Sequence, residues 1–78
     1  MEIKVLGPGC AKCHKTEELV REVVAEKGLS ARVEKVGDLM EIAAYGVLGT
    51  PAVVVKGQVK CVGKVPTKEE IGAWLEGS

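Results

Sequence analysis

Neither sign of charge is in excess in this chain: eleven Lys and Arg residues offset eleven Asp and Glu residues over 78 positions. The balance removes the electrostatic argument for nucleic acid, an anionic membrane surface or a strongly charged substrate as a partner. Long apolar runs are lacking too. The longest, Pro51-Ala52-Val53-Val54-Val55, falls far short of the roughly 20 residues that a membrane-crossing helix requires. Met1-Glu2-Ile3-Lys4-Val5-Leu6 enters an alternating pattern at once, without a charged leader or a small-residue cleavage site, so a cytoplasmic location is expected. Prolines are few, at three, and with 46% hydrophobic and 28% charged residues the composition is that of a soluble globular protein. The length leaves room for one domain, residues 1–78, with a core near the lower limit of independent stability. The three cysteines are odd in number, and two stand only two residues apart, a spacing that reads as chemistry rather than as the stapling of a secreted scaffold.

Residues 2–6 read as a first strand, broken by Gly7-Pro8-Gly9. From Ala11 to Lys27 the apolar residues 13, 19, 20, 23 and 24 make the stripe of an amphipathic helix, with Gly28 as its left-handed stop. Leu29, Ala31 and Val33 alternate with Ser30, Arg32 and Glu34, the period of a second strand. Asp38 and Glu41 match a capping box for a short helix with Leu39, Ile42 and Ala43 facing inward, ending near Gly46. Ala52 to Val55 is apolar on both faces, as a central strand should be, and Lys56-Gly57-Gln58 suits a tight hairpin into Val59 to Gly63. Thr67 and Glu70 form a second capping box for a last helix that buries Ile71, Trp74 and Leu75. The order βαβαββα calls for a mixed sheet, a parallel pair joined by a right-handed crossover and an antiparallel hairpin, with helices on both faces.

The strongest chemical signal is Cys10-Ala11-Lys12-Cys13, at the point where the first strand gives way to the first helix. A two-residue gap at a helix start lets the sulfurs reach disulfide distance, leaves the first exposed and turns the second inward. Thiolates are the reacting species, and the N–H groups and positive dipole end of the helix favour one at Cys10. The first turn carries Lys12, His14 and Lys15 and no acid before Glu17. That pattern is unfavourable unless an anion sits among it, and Lys12 stands beside the sulfurs; the competing account is that these side chains simply point to solvent.

Leu6-Gly7-Pro8-Gly9-Cys10-Ala11-Lys12-Cys13, Tyr45-Gly46-Val47 ahead of Thr50-Pro51, and Gly63-Lys64-Val65-Pro66-Thr67-Lys68-Glu69-Glu70-Ile71 together resemble, nearly end to end, the very short thioredoxin-like proteins often called redox-active disulfide proteins, relatives of thioredoxins and glutaredoxins. The resemblance implies an α/β minimal thioredoxin fold, a four-stranded mixed sheet flanked by three helices, and a thiol–disulfide oxidoreductase. It also places a cis-proline at Pro51 against the disulfide, with the backbone of Thr50 available to pair with an extended substrate; taken alone, the residues favour an ordinary trans bond there. No Trp precedes Cys10, and no acid lies in the first strand or first helix close enough to serve as a buried proton acceptor. The potential therefore stays open within the range of roughly −270 to −120 mV that such proteins span, and a cytosolic setting favours a reductant.

The expected mechanism has Cys10 attack a disulfide of a protein or small molecule and Cys13 release the product, with no bound cofactor beyond the Cys10–Cys13 disulfide. The expected partners are disulfide-containing proteins and an NADPH-dependent donor of the thioredoxin reductase type, and the chain is expected to act as a monomer. Three other readings compete. Cys10-Ala11-Lys12-Cys13-His14 fits the haem c attachment pattern, although such attachment normally follows export. A soft-metal carrier for Cu or Zn places Cys-x-x-Cys similarly, but those chains run βαββαβ. In the third, the fold displays a binding surface around Pro51 without catalysis. Cys61 reads as a small buried hydrophobe, with a third ligand or regulatory thiol as the alternative. His14 reads as solvent-facing rather than as a proton shuttle, and Tyr45 and Trp74 as packing residues. Gly63 is explained either by crowding, if a side chain there would block the approach to the disulfide, or by a bulge.

Overall fold

The computed structural model describes residues 1–76 and has the element order β1 (Glu2–Leu6), α1 (Ala11–Glu26), β2 (Arg32–Val36), α2 (Leu39–Ala44), β3 (Ala52–Val55), β4 (Gln58–Val62) and α3 (Lys68–Glu76). The strands form one mixed sheet in the order β2-β1-β3-β4. β1 and β2 are parallel, whereas β3 runs antiparallel to both β1 and β4. Leu6 pairs with both Val36 and Ala52, and Ala52 with Val62, so the ends of β1, β2 and β4 and the start of β3 meet at one end of the sheet.

Each face of the sheet has its own core. On one, Ile3, Val5, Val53, Val55 and Cys61 pack with Val20 and Val23 of α1 and Ile71 and Leu75 of α3. On the other, Leu6, Val36, Ala52 and Val54 pack with Ile42 of α2, and Tyr45 and Val47 close the edge. β3 is buried on both faces, which is why its four residues are apolar without alternation. Trp74 is half-buried against the first core rather than enclosed by it.

Two expectations need correction, and the structure adds a bulge that the sequence did not announce. The second strand starts at Arg32, not at Leu29. The Gly28 N–H donates to the Ala25 carbonyl and the Leu29 N–H to the Val24 carbonyl, with Gly28 at φ +63°, so Leu29 belongs to a Schellman helix ending. Its apolar side chain packs as part of that ending, which imitates the alternation of a strand. In α2, Asp38 caps the helix through Met40 N–H at 2.8 Å, but Leu39 is 67% exposed and Ala43 is exposed; only Ile42 is buried. A six-residue helix makes fewer than two turns and presents a single position squarely to the sheet. In β4, Val53 pairs with Cys61 and Val54 with Val59, leaving Lys60 as the extra residue of a bulge. The bulge shifts the alternation, so Cys61 is buried while Val59 is exposed.

The hairpin and the last helix form as their residues dictate. Lys56 and Gly57 have φ of +51° and +80°, the pair of left-handed residues that a two-residue hairpin turn matched to strand twist requires. At α3 both halves of the capping box are made: Glu70 N–H donates to Thr67 Oγ1 at 3.1 Å, and Thr67 N–H to Glu70 Oε1 at 2.9 Å.

Candidate active site

The site is built where the strand ends converge. Beyond Leu6, the Gly7 N–H donates to the Val36 carbonyl at 2.9 Å, extending the β1–β2 pairing by one bond. Gly7 is buried, and a Cβ on it would lie 2.9 Å from Cys13 Cβ and closer still to Cys13 Sγ. Glycine is thus the residue that lets the strand end pass over the second cysteine. Gly9, at φ +102°, then redirects the chain, and Cys10 takes the N-cap of α1 in an extended conformation, φ −71° and ψ 165°.

From that position the Cys10 sulfur accepts a hydrogen bond from the Cys13 N–H at 3.3 Å, as an N-cap side chain does. Cys10 is exposed, Cys13 is fully buried, and the two form a disulfide with their Cα atoms 5.1 Å apart. When the bond opens, a thiolate at Cys10 meets the same N–H and the positive end of a 16-residue helix, both of which favour the anion. The first turn of α1 contains no acid, and Lys12, His14 and Lys15 are exposed on it. The carbonyl of Lys12 accepts a hydrogen bond from Thr16 Oγ1 at 2.8 Å.

The second wall is the turn before β3. The Thr50–Pro51 peptide bond is cis, Pro51 is buried and Thr50 half-buried. A Cβ on Gly7 would also lie 3.9 Å from Thr50 Cβ, so Thr50 and Cys13 flank the same glycine. The Pro51 carbonyl accepts the Gly63 N–H at 2.8 Å, which brings the end of β4 to this wall. Cys10, Cys13, Thr50, Pro51 and Gly63 therefore gather at one end of the sheet, with Lys12 on the exposed turn between the cysteines.

The bulge of β4 is at Lys60, opposite Val53 and Val54, so a bulge does not explain Gly63, and a Cβ there would meet no atom of this chain within 4 Å. Gly63 has φ +76°, and that left-handed conformation is what requires glycine. Sequence reasoning also missed two residues. In the sequence Gly7 reads as a strand breaker within the motif, and its contact with Cys13 is made by the fold. Thr16 is fully buried on the stripe that carries Cys13, Val20 and Val23, and it is the buried polar residue of the core among the described residues. A polar residue on an apolar stripe is the signal that would have found it. Cys61 lies in the first core, where burial pushes its thiol pKa up and keeps it protonated, in keeping with a small hydrophobe.

A family model for the thioredoxin domain matches residues 1–76. The chain belongs to the thioredoxin family. It is 39% identical over 71 residues to a thioredoxin of Methanothermobacter thermautotrophicus, covering 91% of this chain and 92% of that protein. It is 40% identical over 79 residues to a thioredoxin of Methanocaldococcus jannaschii, covering 96% of this chain and 91% of that one. The mixed sheet with three helices is a minimal thioredoxin fold, and the chain is a thioredoxin-like disulfide oxidoreductase whose Cys-x-x-Cys motif holds the disulfide. That disulfide engages both sulfurs that haem attachment would consume. The order βαβαββα differs from that of the soft-metal carriers. No helix among the described residues is long and apolar enough to cross a membrane.

Proposed function

We propose that this thioredoxin-like protein works as a cytoplasmic disulfide reductant in which Cys10 attacks and Cys13 resolves. The observation that carries the reading is the asymmetry of the pair: Cys10 is exposed and capped by an N–H, and Cys13 is fully buried behind Gly7. An incoming disulfide reaches only Cys10. The Cys10 thiolate attacks one substrate sulfur, a mixed disulfide forms, and the other substrate sulfur leaves as a thiolate that takes up a proton. Deprotonated Cys13 then attacks Cys10 Sγ, the intermolecular bond breaks, and the second substrate thiol departs, leaving the Cys10–Cys13 disulfide. The exchange needs no bound cofactor. Regeneration of the dithiol requires a two-electron donor, in this proposal an NADPH-dependent reductase of the thioredoxin reductase type.

Disulfide-bearing proteins are the proposed substrates, met by this chain as a monomer in a reducing compartment. Thr50 would pair with an extended segment of the substrate through its backbone, beside Pro51. In support, Leu48 is fully exposed two residues before Thr50, and exposed Val62 has its Cγ1 3.9 Å from where a Cβ on Gly49 would sit, so apolar surface lies beside the Thr50–Pro51 turn. Lys12 would add positive potential beside the Cys10 thiolate. Insulin reduction by the variants tests the assignment. Cys10→Ser should abolish turnover, and Cys13→Ser should accumulate a mixed disulfide visible by mass spectrometry. Full activity in both variants would defeat the reading.

A further inference from the structure

The acid of α1 at a neighbouring position to Cys13 is Glu17, four residues on, and its carboxylate is engaged by the Arg21 guanidinium at 3.0 Å, while Glu18 is exposed. While the disulfide is closed this has no consequence, because a disulfide sulfur carries no charge. The resolving step differs: Cys13 must become a thiolate while it is enclosed, and an anion out of reach of water and of any donor is strongly disfavoured.

Thr16 is placed to supply that donor. It stands three residues beyond Cys13 on the same buried stripe, a separation at which helix side chains are neighbours, and both residues are fully buried. Its hydroxyl is directed back toward the turn that holds the cysteines, since Oγ1 donates to the Lys12 carbonyl at 2.8 Å. That bond is dispensable. The Lys12 carbonyl is also the acceptor for the Thr16 backbone N–H in the helix ladder, so it remains satisfied if the hydroxyl rotates away.

We propose that the Thr16 hydroxyl rotates from the Lys12 carbonyl to the Cys13 sulfur when the disulfide opens, and that it stabilises the Cys13 thiolate during resolution. A hydroxyl of ordinary acidity does not take up the Cys13 proton. That proton leaves with the departing substrate thiolate or with water, and Thr16 acts only as a neutral donor to the anion that remains. The proposal rests on the reading that Cys13 resolves, and it takes that reading further.

The test uses reduced protein and 5,5′-dithiobis(2-nitrobenzoate), whose aryl thiolate absorbs on release. One equivalent is released when Cys10 attacks and a second when Cys13 resolves, so stopped-flow absorbance reads both steps in one trace. Thr16→Val keeps the shape and removes the hydroxyl, whereas Thr16→Ser restores it. The expected result is an unchanged first phase and a second phase slowed by about tenfold or more in Thr16→Val, with recovery in Thr16→Ser. Two unchanged phases, or both phases slowed together without recovery in Thr16→Ser, would overturn the proposal. Release of only one equivalent by the wild type would instead overturn the resolving role of Cys13. Should Thr16→Val fail to fold, NMR of the wild type decides. The Thr16 hydroxyl and methyl resonances should shift between the disulfide and dithiol forms, and identical resonances in the two forms would defeat the proposal.

Discussion

Gly7 and Gly63 are both required to be glycine at the end of the sheet that carries the disulfide, but for different physical reasons, and the difference can be measured. Alanine at Gly7 drives a methyl group into Cys13 and should destabilise the oxidised protein by about 1 to 3 kcal/mol in urea denaturation, with slowed disulfide exchange. Alanine at Gly63 meets no atom but must hold φ +76°, a cost of about 1 to 2 kcal/mol, and should leave exchange at the wild-type rate. Equal effects of the two variants on exchange would contradict this account. Cys10 and Cys13 were legible in the sequence because their spacing at a strand-to-helix junction is itself the chemistry. Gly7 was not, because its constraint comes from a residue that only the fold places above it.

At the scale of elements, the end of α3 nearest the site is held by a local device whose stability depends on pH. The Thr67 N–H and the Lys64 ammonium hold the Glu70 carboxyl below the usual carboxylate range. A depressed carboxylate pKa contributes stability that is complete above the unfolded value, about 4.3, and is lost as pH falls through the folded value. The difference in unfolding free energy between wild type and Glu70→Gln should therefore shrink from about pH 6 to about pH 3, and a constant difference would contradict the assignment. Thr67→Ala removes the other half of the box and should cost about 1 kcal/mol. The Thr67–Glu70 capping box and the Asp38 cap were visible in the sequence, since they are local. The start of β2 was not, because Leu29 is apolar for a helix ending and only the pairing with β1 sets where the strand begins. The bulge at Lys60 was not legible for a similar reason: it is set by β3 and by nothing in β4 itself.

For the whole molecule, 78 residues imply a total stability of only roughly 4 to 12 kcal/mol. Ile3 of β1 is buried in the core that α1 and α3 form with the sheet, and Ile3→Ala should remove about 2 to 5 kcal/mol of that, seen as a large fall in the urea midpoint. The topology explains why so small a core can support a redox site: with β3 antiparallel to its neighbours, a single end of the sheet gathers the motif, the Thr50–Pro51 turn and Gly63. The order of elements was legible because helix and strand periods differ; the convergence of these segments became visible only with the strand pairing. The central claim is that Cys10 and Cys13 form a reversible dithiol–disulfide couple. Equilibration of the protein in graded dithiothreitol or glutathione buffers, followed by alkylation and mass spectrometry, tests it most directly. The account predicts one two-electron transition confined to Cys10 and Cys13, with Cys61 unchanged as a thiol; failure of Cys10 and Cys13 to interconvert, or a transition that requires Cys61, would contradict it.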